Sequence, residues 1–204
     1  RKIKKQIDAG EAKVTVVDEF GEHVYQPGFM YIAMGNEDPK SLRKPERRLL
    51  DDRVELVIDE VTAIDEKAQK ISLAKGDTLE YDYLILATGS RILPETIEHF
   101  EQEAHHFYSE QAAGRLRKAL DGFTGGRVVV GIASMPYKCP PAPLEVALLI
   151  EAELRERGLR DKSEVHFCSP IARAFTIESV SEMVTPELEK KDIELHTFFN
   201  VETI

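Results

Sequence analysis

Apolar and polar positions alternate or recur along this chain in two distinct rhythms. "RKIKKQIDAG" carries the spacing of the end of an amphipathic helix, closed by Gly10, and "AKVTVVDEF" follows with a strand core at Val14–Val17 that ends on Asp18. A loop containing Pro27, Gly28 and Gly35 comes next, then "LRKPERRLL", which reads as a helix turn broken at Pro45. "VELVIDEVTAID", "KISLAK" and "TLEYDYLILATGS" alternate or run apolar between turns, which predicts a β-meander feeding a buried strand.

Beyond that point the period changes. Ser109 is placed to cap a helix whose apolar positions include Ala112, Leu116, Ala119 and Leu120. Gly125 and Gly126 lead into "RVVVGIA", a strand. "PLEVALLIEAELRERGL" predicts a long amphipathic helix, "SEVHFCS" a strand, "SVSEMVTPELEKKDI" a helix and "ELHTFFNV" a last strand. A β-α-β-α-β order predicts a parallel, doubly wound sheet, because crossovers between parallel strands keep one hand. The expected fold class is therefore α/β, with two parallel-sheet domains of dinucleotide-binding type, the first carrying an inserted meander. The boundary falls near Tyr108–Ser109, giving 1–108 and 109–204. A helix-then-strand opening and a final bare strand pattern suggest that both ends are cut.

Composition narrows the partners. The 204 residues are 42% hydrophobic, enough for a core, and carry a formal net charge of −10. An acidic surface repels nucleic acid on average, so a nucleic-acid partner is not expected. No apolar run approaches the ~20 residues of a bilayer span. Two cysteines are too few for a disulfide scaffold and fit a reducing compartment.

The chemistry concentrates in "GIASMPYKCPPAP", residues 131–143. A strand entering a turn and helix in a nucleotide-binding fold needs glycines, so that backbone N–H groups reach the phosphates. Here only Gly131 remains, Pro136 removes a donor, and Met135 and Tyr137 are bulky. The next strand ends in Ser169 and Pro170, with no acidic residue to hold an adenosine ribose. The fold is expected without the nicotinamide site. In its place stands Cys139, fixed by Pro136, Pro140, Pro141 and Pro143, beside Lys138 and ahead of a helix N-terminus. Both neighbours favour a thiolate, the reactive form in disulfide and persulfide exchange. The plainer alternative is a small buried hydrophobe, and that is the expectation for Cys168, inside a strand. The six histidines show no metal-ligand spacing with the cysteines, and no metal site is expected.

Four stretches carry a family resemblance. "YDYLILATGSR" closely resembles the second flavin-contact motif of flavoproteins with two dinucleotide-binding domains. "VTVVDEF" looks like their second strand with its acidic tip. "PYKCPPAP" resembles the cysteine segment of sulfide:quinone oxidoreductases, and "VYQPGFMYIAMG" their flavin-side loop. The resemblance implies FAD as cofactor, bound by Asp18 on the ribose, the backbone at Val61 near the adenine, and close backbone approach at Ala87, Thr88 and Gly89. Tyr25, Pro27 and Phe29 are candidates for the isoalloxazine side or plain loop packing. It further implies sulfide and a quinone as partners, and a disulfide between Cys139 and a cysteine further on. It also implies a cytoplasmic location at the membrane periphery through a part outside this chain, with a homo-oligomer left open. Three alternatives stay open: a type II NADH:quinone oxidoreductase, a flavocytochrome c-type sulfide dehydrogenase, and a non-enzymatic redox-sensing module.

Overall fold

The computed structural model describes residues 3–204. These fall into two compact units, one formed by residues 3–26 and 38–91, the other by 27–37 and 92–204. The expected boundary at 108/109 falls inside the second of these units.

In the first unit, helix α1 (Lys4–Asp8) precedes strand β1 (Thr15–Asp18). Gly10 takes a positive φ of 74° just past the helix, as a chain leaving a helix requires. Strands β2 (Glu22–Val24) and β3 (Arg43–Pro45) form an antiparallel pair. Strand β4 (Glu55–Ile58) pairs in parallel with β1 over its whole length, Asp18 opposite Ile58. Gly21 is required where the chain leaves β1: its φ is +66°, and an added Cβ would meet Ile58 Cδ1 at 2.7 Å. Strands β5 (Val61–Asp65), β6 (Lys70–Leu73) and β7 (Thr78–Glu80) make the antiparallel meander. Ile71 and Leu73 are its buried residues.

Two expectations fail in this unit. "LRKPERRLL" is not a broken helix turn: Arg43–Pro45 pairs with β2, and only Glu46–Arg48 forms a 3-10 turn. "YDYLILATGS" is not a buried strand. Residues 82–91 pair with no strand among the described residues, and Tyr83, Ile85 and Leu86 are exposed. A strand exists only where a neighbour takes its N–H and C=O groups, and an apolar run cannot supply that neighbour by itself.

The second unit opens with helix α2 (Phe29–Ala33), which packs on the later helix that Ser109 caps. Helix α3 (Phe100–Glu103) is one turn. Helix α4 (Glu110–Gly122) begins as its sequence predicts, with the Ser109 hydroxyl accepting the Ala112 N–H at 3.2 Å. Then come strand β8 (Gly126–Gly131), helix α5 (Ala142–Glu156), strand β9 (Ser163–Cys168), helix α6 (Glu178–Lys190) and strand β10 (Ile193–His196). The sheet order is β10-β9-β8, all parallel, as the β-α-β-α-β reading requires. Helix α5 packs on β8 and β9, and α6 on β10. Phe167, Val165, Leu154 and Leu188 are almost wholly buried, each worth roughly 1.5–3 kcal/mol in area removed from water. Alternation along β9 leaves Glu164 and His166 on the other face. No helix among the described residues is long and apolar enough to cross a membrane.

Candidate active site

Strand β8 delivers the chain to the cysteine loop. Its last residue, Gly131, lies opposite Cys168, and Ile132 N–H donates to the Cys168 carbonyl at 3.1 Å. A Cβ added at Gly131 would touch Cys168 Cβ at an ordinary 3.8 Å, and Gly131 is not among the positive-φ glycines. This position therefore does not demand glycine, unlike a turn whose backbone must close on a phosphate. The second strand tip is also shut. Ser169 is fully buried and its hydroxyl donates to the Arg173 carbonyl at 2.7 Å.

Cys139 is exposed and its thiol is free. It holds a left-handed backbone, φ 58°, which costs an L-residue roughly 1–2 kcal/mol. Two hydrogen bonds oppose that cost. The Cys139 carbonyl accepts from Ala142 N–H at 3.0 Å at the start of α5, and the Lys138 carbonyl accepts from the Tyr108 hydroxyl at 2.7 Å. Burial pushes the Tyr108 hydroxyl up to about 12, with smaller contributions from Cys139 and Tyr137. Tyr108 thus remains a donor over the whole range in which a cysteine titrates. Helix α5 begins at Ala142, one residue before the stretch that its apolar pattern marks, with Pro143 in its first turn. Cys168 is buried and free, and burial, then Glu194, push its thiol up.

The residues expected to hold a flavin all lie in the first unit, except for part of the loop. Asp18 ends β1 at the carboxyl end of a parallel pair, where dinucleotide folds place a ribose-binding carboxylate. Its Oδ1 accepts from Phe20 N–H at 3.1 Å and Gly21 N–H at 2.5 Å, and Oδ2 makes no hydrogen bond among the described residues. The carboxylate so pinned fits the ribose end of FAD. Val61 opens β5, 40% exposed. Ala87, Thr88 and Gly89 lie on the exposed unpaired stretch, Gly89 at φ 72° with open space around its Cα. Phe29 is buried on α2, a packing role, and Tyr25 is exposed. A cleft lined by Ile3, Ile7, Val14, Asp51, Arg53 and Val54 contains none of these residues.

A parallel α/β sheet, a carboxylate at a parallel strand tip, an antiparallel meander and an exposed cysteine in the loop between β8 and α5 are the features of a dinucleotide-binding type of fold. The chain belongs to the pyridine nucleotide-disulphide oxidoreductase family, whose sequence profile matches residues 2–135. That family is one of FAD-dependent oxidoreductases. The mitochondrial sulfide:quinone oxidoreductase of Mus musculus is 23% identical over 197 residues, covering 94% of this chain and 44% of that protein. The crystal structure of the sulfide:quinone oxidoreductase from the hyperthermophilic bacterium Aquifex aeolicus superposes with a TM-score of 0.83 at 24% identity, covering 98% of this chain and 48% of that one. NDH2 from Plasmodium falciparum, solved in complex with NADH, shares the fold at a TM-score of 0.66 and 15% identity, over 96% of this chain and 45% of its own. The chain thus spans less than half the length of these proteins.

Proposed function

We propose that the full-length flavoprotein carrying this chain oxidises sulfide and delivers two electrons to a quinone, with Cys139 as a sulfur-bearing residue. The observation that most supports this reading is the Cys139 loop: an exposed thiol, in a left-handed backbone held by Tyr108 and α5, where the fold would otherwise bind phosphate. Backbone strain kept by surrounding contacts is a mark of functional loops. The mouse and Aquifex proteins, named for sulfide and quinone, support the same reading.

In this reading residues 1–108 form part of the flavin domain, and 109–204 a second nucleotide-type domain without a nicotinamide site. Asp18 accepts the ribose hydroxyls through Oδ2, the Val61 backbone meets the adenine, and Ala87, Thr88 and Gly89 let the backbone pass close to the cofactor. FAD, when bound, supplies a two-electron acceptor for a pair of cysteine thiols and a two-electron donor to the quinone. Cys139 enters as half of a disulfide with a second cysteine of the full-length protein. Hydrosulfide attacks that bond, a new S–S bond forms to one cysteine, and the other leaves as a thiolate. The sulfide sulfur has then given two electrons to the disulfide. The cysteines are left as a persulfide and a thiolate; once the outer sulfur has passed to a sulfur acceptor such as a second hydrosulfide or a thiol, the two thiols give up that electron pair as their disulfide re-forms, and the quinone takes the pair with two protons. Membrane contact at the periphery would come from parts outside this chain.

The test is rapid-mixing reduction of the full-length flavin by sulfide and by NADH. Sulfide should be faster by at least ~100-fold, since the contacts for a nicotinamide nucleotide are missing. Cys139→Ser should retain the flavin and lose more than ~1000-fold in sulfide-dependent reduction, as expected when a covalent catalyst is removed. Comparable rates with NADH and sulfide would instead favour the NADH:quinone reading that the likeness to NDH2 leaves standing.

A further inference from the structure

Strands β9 and β10 bring together three side chains that the proposed sulfur chemistry does not use. Their parallel register sets His166 beside Glu194 and Cys168 beside His196. Alternation then puts His166, Glu194 and His196 on one face. His166 Nδ1 and His196 Nε2 are 2.9 Å apart. Glu194 Oε2 is 3.3 Å from His166 Nδ1, and Oε1 is 3.6 Å from His196 Nε2. An ion holding nitrogen and oxygen ligands at ~2.05 Å in a tetrahedron spaces its donors ~3.3 Å apart. The two ring nitrogens and the nearer Glu194 oxygen of each stand close to that spacing, and one donor atom from each of the three residues lies within 4.8 Å of the other two, so a small turn of the exposed Glu194 carboxylate closes the set.

We propose that His166, Glu194 and His196 form a three-ligand site for a divalent transition ion of the zinc class, with a fourth position open to water. Two imidazoles and one carboxylate match zinc, cobalt and nickel, and do not match magnesium or calcium, which want an all-oxygen shell. A second observation supports it. His166 Nε2 is buried and has no hydrogen-bond partner among the described residues, and the Glu164 carboxylate lies 3.5 Å away. With Nδ1 on a metal, Nε2 must carry the proton, and a carboxylate beside that N–H is the usual outer partner of a ligating histidine. Arg127 holds Glu164 in place from β8 at 2.9 Å. The ordinary alternative is a metal-free N–H···N bond between the two rings. The site does not depend on the flavin or on Cys139, and its action is to tie β9 to β10.

The experiment uses the full-length protein, stripped with a chelator and titrated with Zn²⁺ against a chromophoric competitor. One ion per chain should bind with a Kd at or below about 1 µM. His196→Ala and Glu194→Gln should each weaken it by at least about 10–100-fold. Both side chains are partly exposed, at 37% and 65%, so both variants should keep their fold and flavin. His23→Ala, a control histidine in the other unit, should change nothing. Co²⁺ in the same site should give ligand-field bands without thiolate charge transfer. Zn²⁺ binding that survives His196→Ala and Glu194→Gln, or fails to reach one equivalent, would overturn the proposal, as would a thiolate band from Co²⁺.

Discussion

Arg160 offers a sharp test of how the cysteine-bearing unit is held together. Its guanidinium donates to three carbonyls: Ser163 at 2.7 Å, Lys191 at 2.8 Å and Asp192 at 2.6 Å. One side chain therefore joins the start of β9 to the end of α6. It also lies 3.7 Å from Glu151, a fully buried carboxylate on α5 that keeps Arg155, and Lys191 at 3.2 Å, as further partners. Arg160→Met retains most of the aliphatic stem and removes the charge. The Ser163 and Lys191 carbonyls are partly buried and lose about 1 kcal/mol each, whereas the exposed Asp192 carbonyl finds water. Glu151 stays paired, so the 3–5 kcal/mol typical of an orphaned buried charge is not incurred, and only its weakened field is added. The sum is about 2–3 kcal/mol, which corresponds to amide exchange about 30- to 150-fold faster if opening is local. Hydrogen–deuterium exchange on peptides spanning β9 and β10 of the full-length protein reads this directly. Lys191→Met, a solvent-exposed partner of the same carboxylate, should cost less than about 1 kcal/mol. Acceleration below about 3-fold for Arg160→Met, or an equal effect from Lys191→Met, would refute the assignment of Arg160 as the tie.

Two further outcomes follow from the same structure. After reduction of the protein and removal of the reductant, maleimide at mildly alkaline pH should label exposed Cys139 and leave buried Cys168, whose thiol is pushed up by burial, at least about 100-fold slower until the protein is unfolded; equal rates would mean that the Cys168 strand opens freely. The hydrogen bonds from Arg117 at 2.6 and 2.8 Å pull Glu153 below the usual carboxylate range, so this pair stabilises the fold above the unfolded value and its contribution disappears as pH falls through the folded value. Arg117→Met should therefore lower the melting temperature near pH 6 and make progressively less difference toward about pH 3, and a gap independent of pH would refute the pairing.

How much of this was visible in the sequence depended on how local each cause is. The Ser109 cap needs only residues 109–112, and it stands where its pattern predicts. The β-α-β-α-β half follows from periodicity, because each helix and strand there buries its own apolar face. "YDYLILATGS" has the composition of a buried strand, and composition could not tell whether a partner strand lies beside it. Asp18 was legible as a strand-tip carboxylate, but the capture of its Oδ1 by the Phe20 and Gly21 amides was not, since it depends on the turn that Gly21 permits. The His166–Glu194–His196 cluster was invisible for a sharper reason. A search for spacing along the chain sees ligands on one helix or one loop, and here the ligands meet through a parallel register between strands 28 residues apart, His166 beside Glu194.

The cysteine loop shows that the β8–α5 connection holds its shape without a glycine-rich turn. Glycine in a phosphate turn is demanded by the ligand, not by the strand that precedes it. Gly131 has room for a side chain, so nothing in the β8–α5 connection enforces the glycine-rich sequence once the phosphate is not the target. What the connection must still do is end β8 and start α5. The prolines and the Cys139 carbonyl bonded to Ala142 N–H achieve that without any ligand. The left-handed φ at Cys139 is then the anomaly, because a structural loop would place glycine or asparagine there at lower cost. A left-handed residue held there by neighbouring contacts, with Tyr108 securing the preceding carbonyl, is backbone strain of the kind that collects at functional loops.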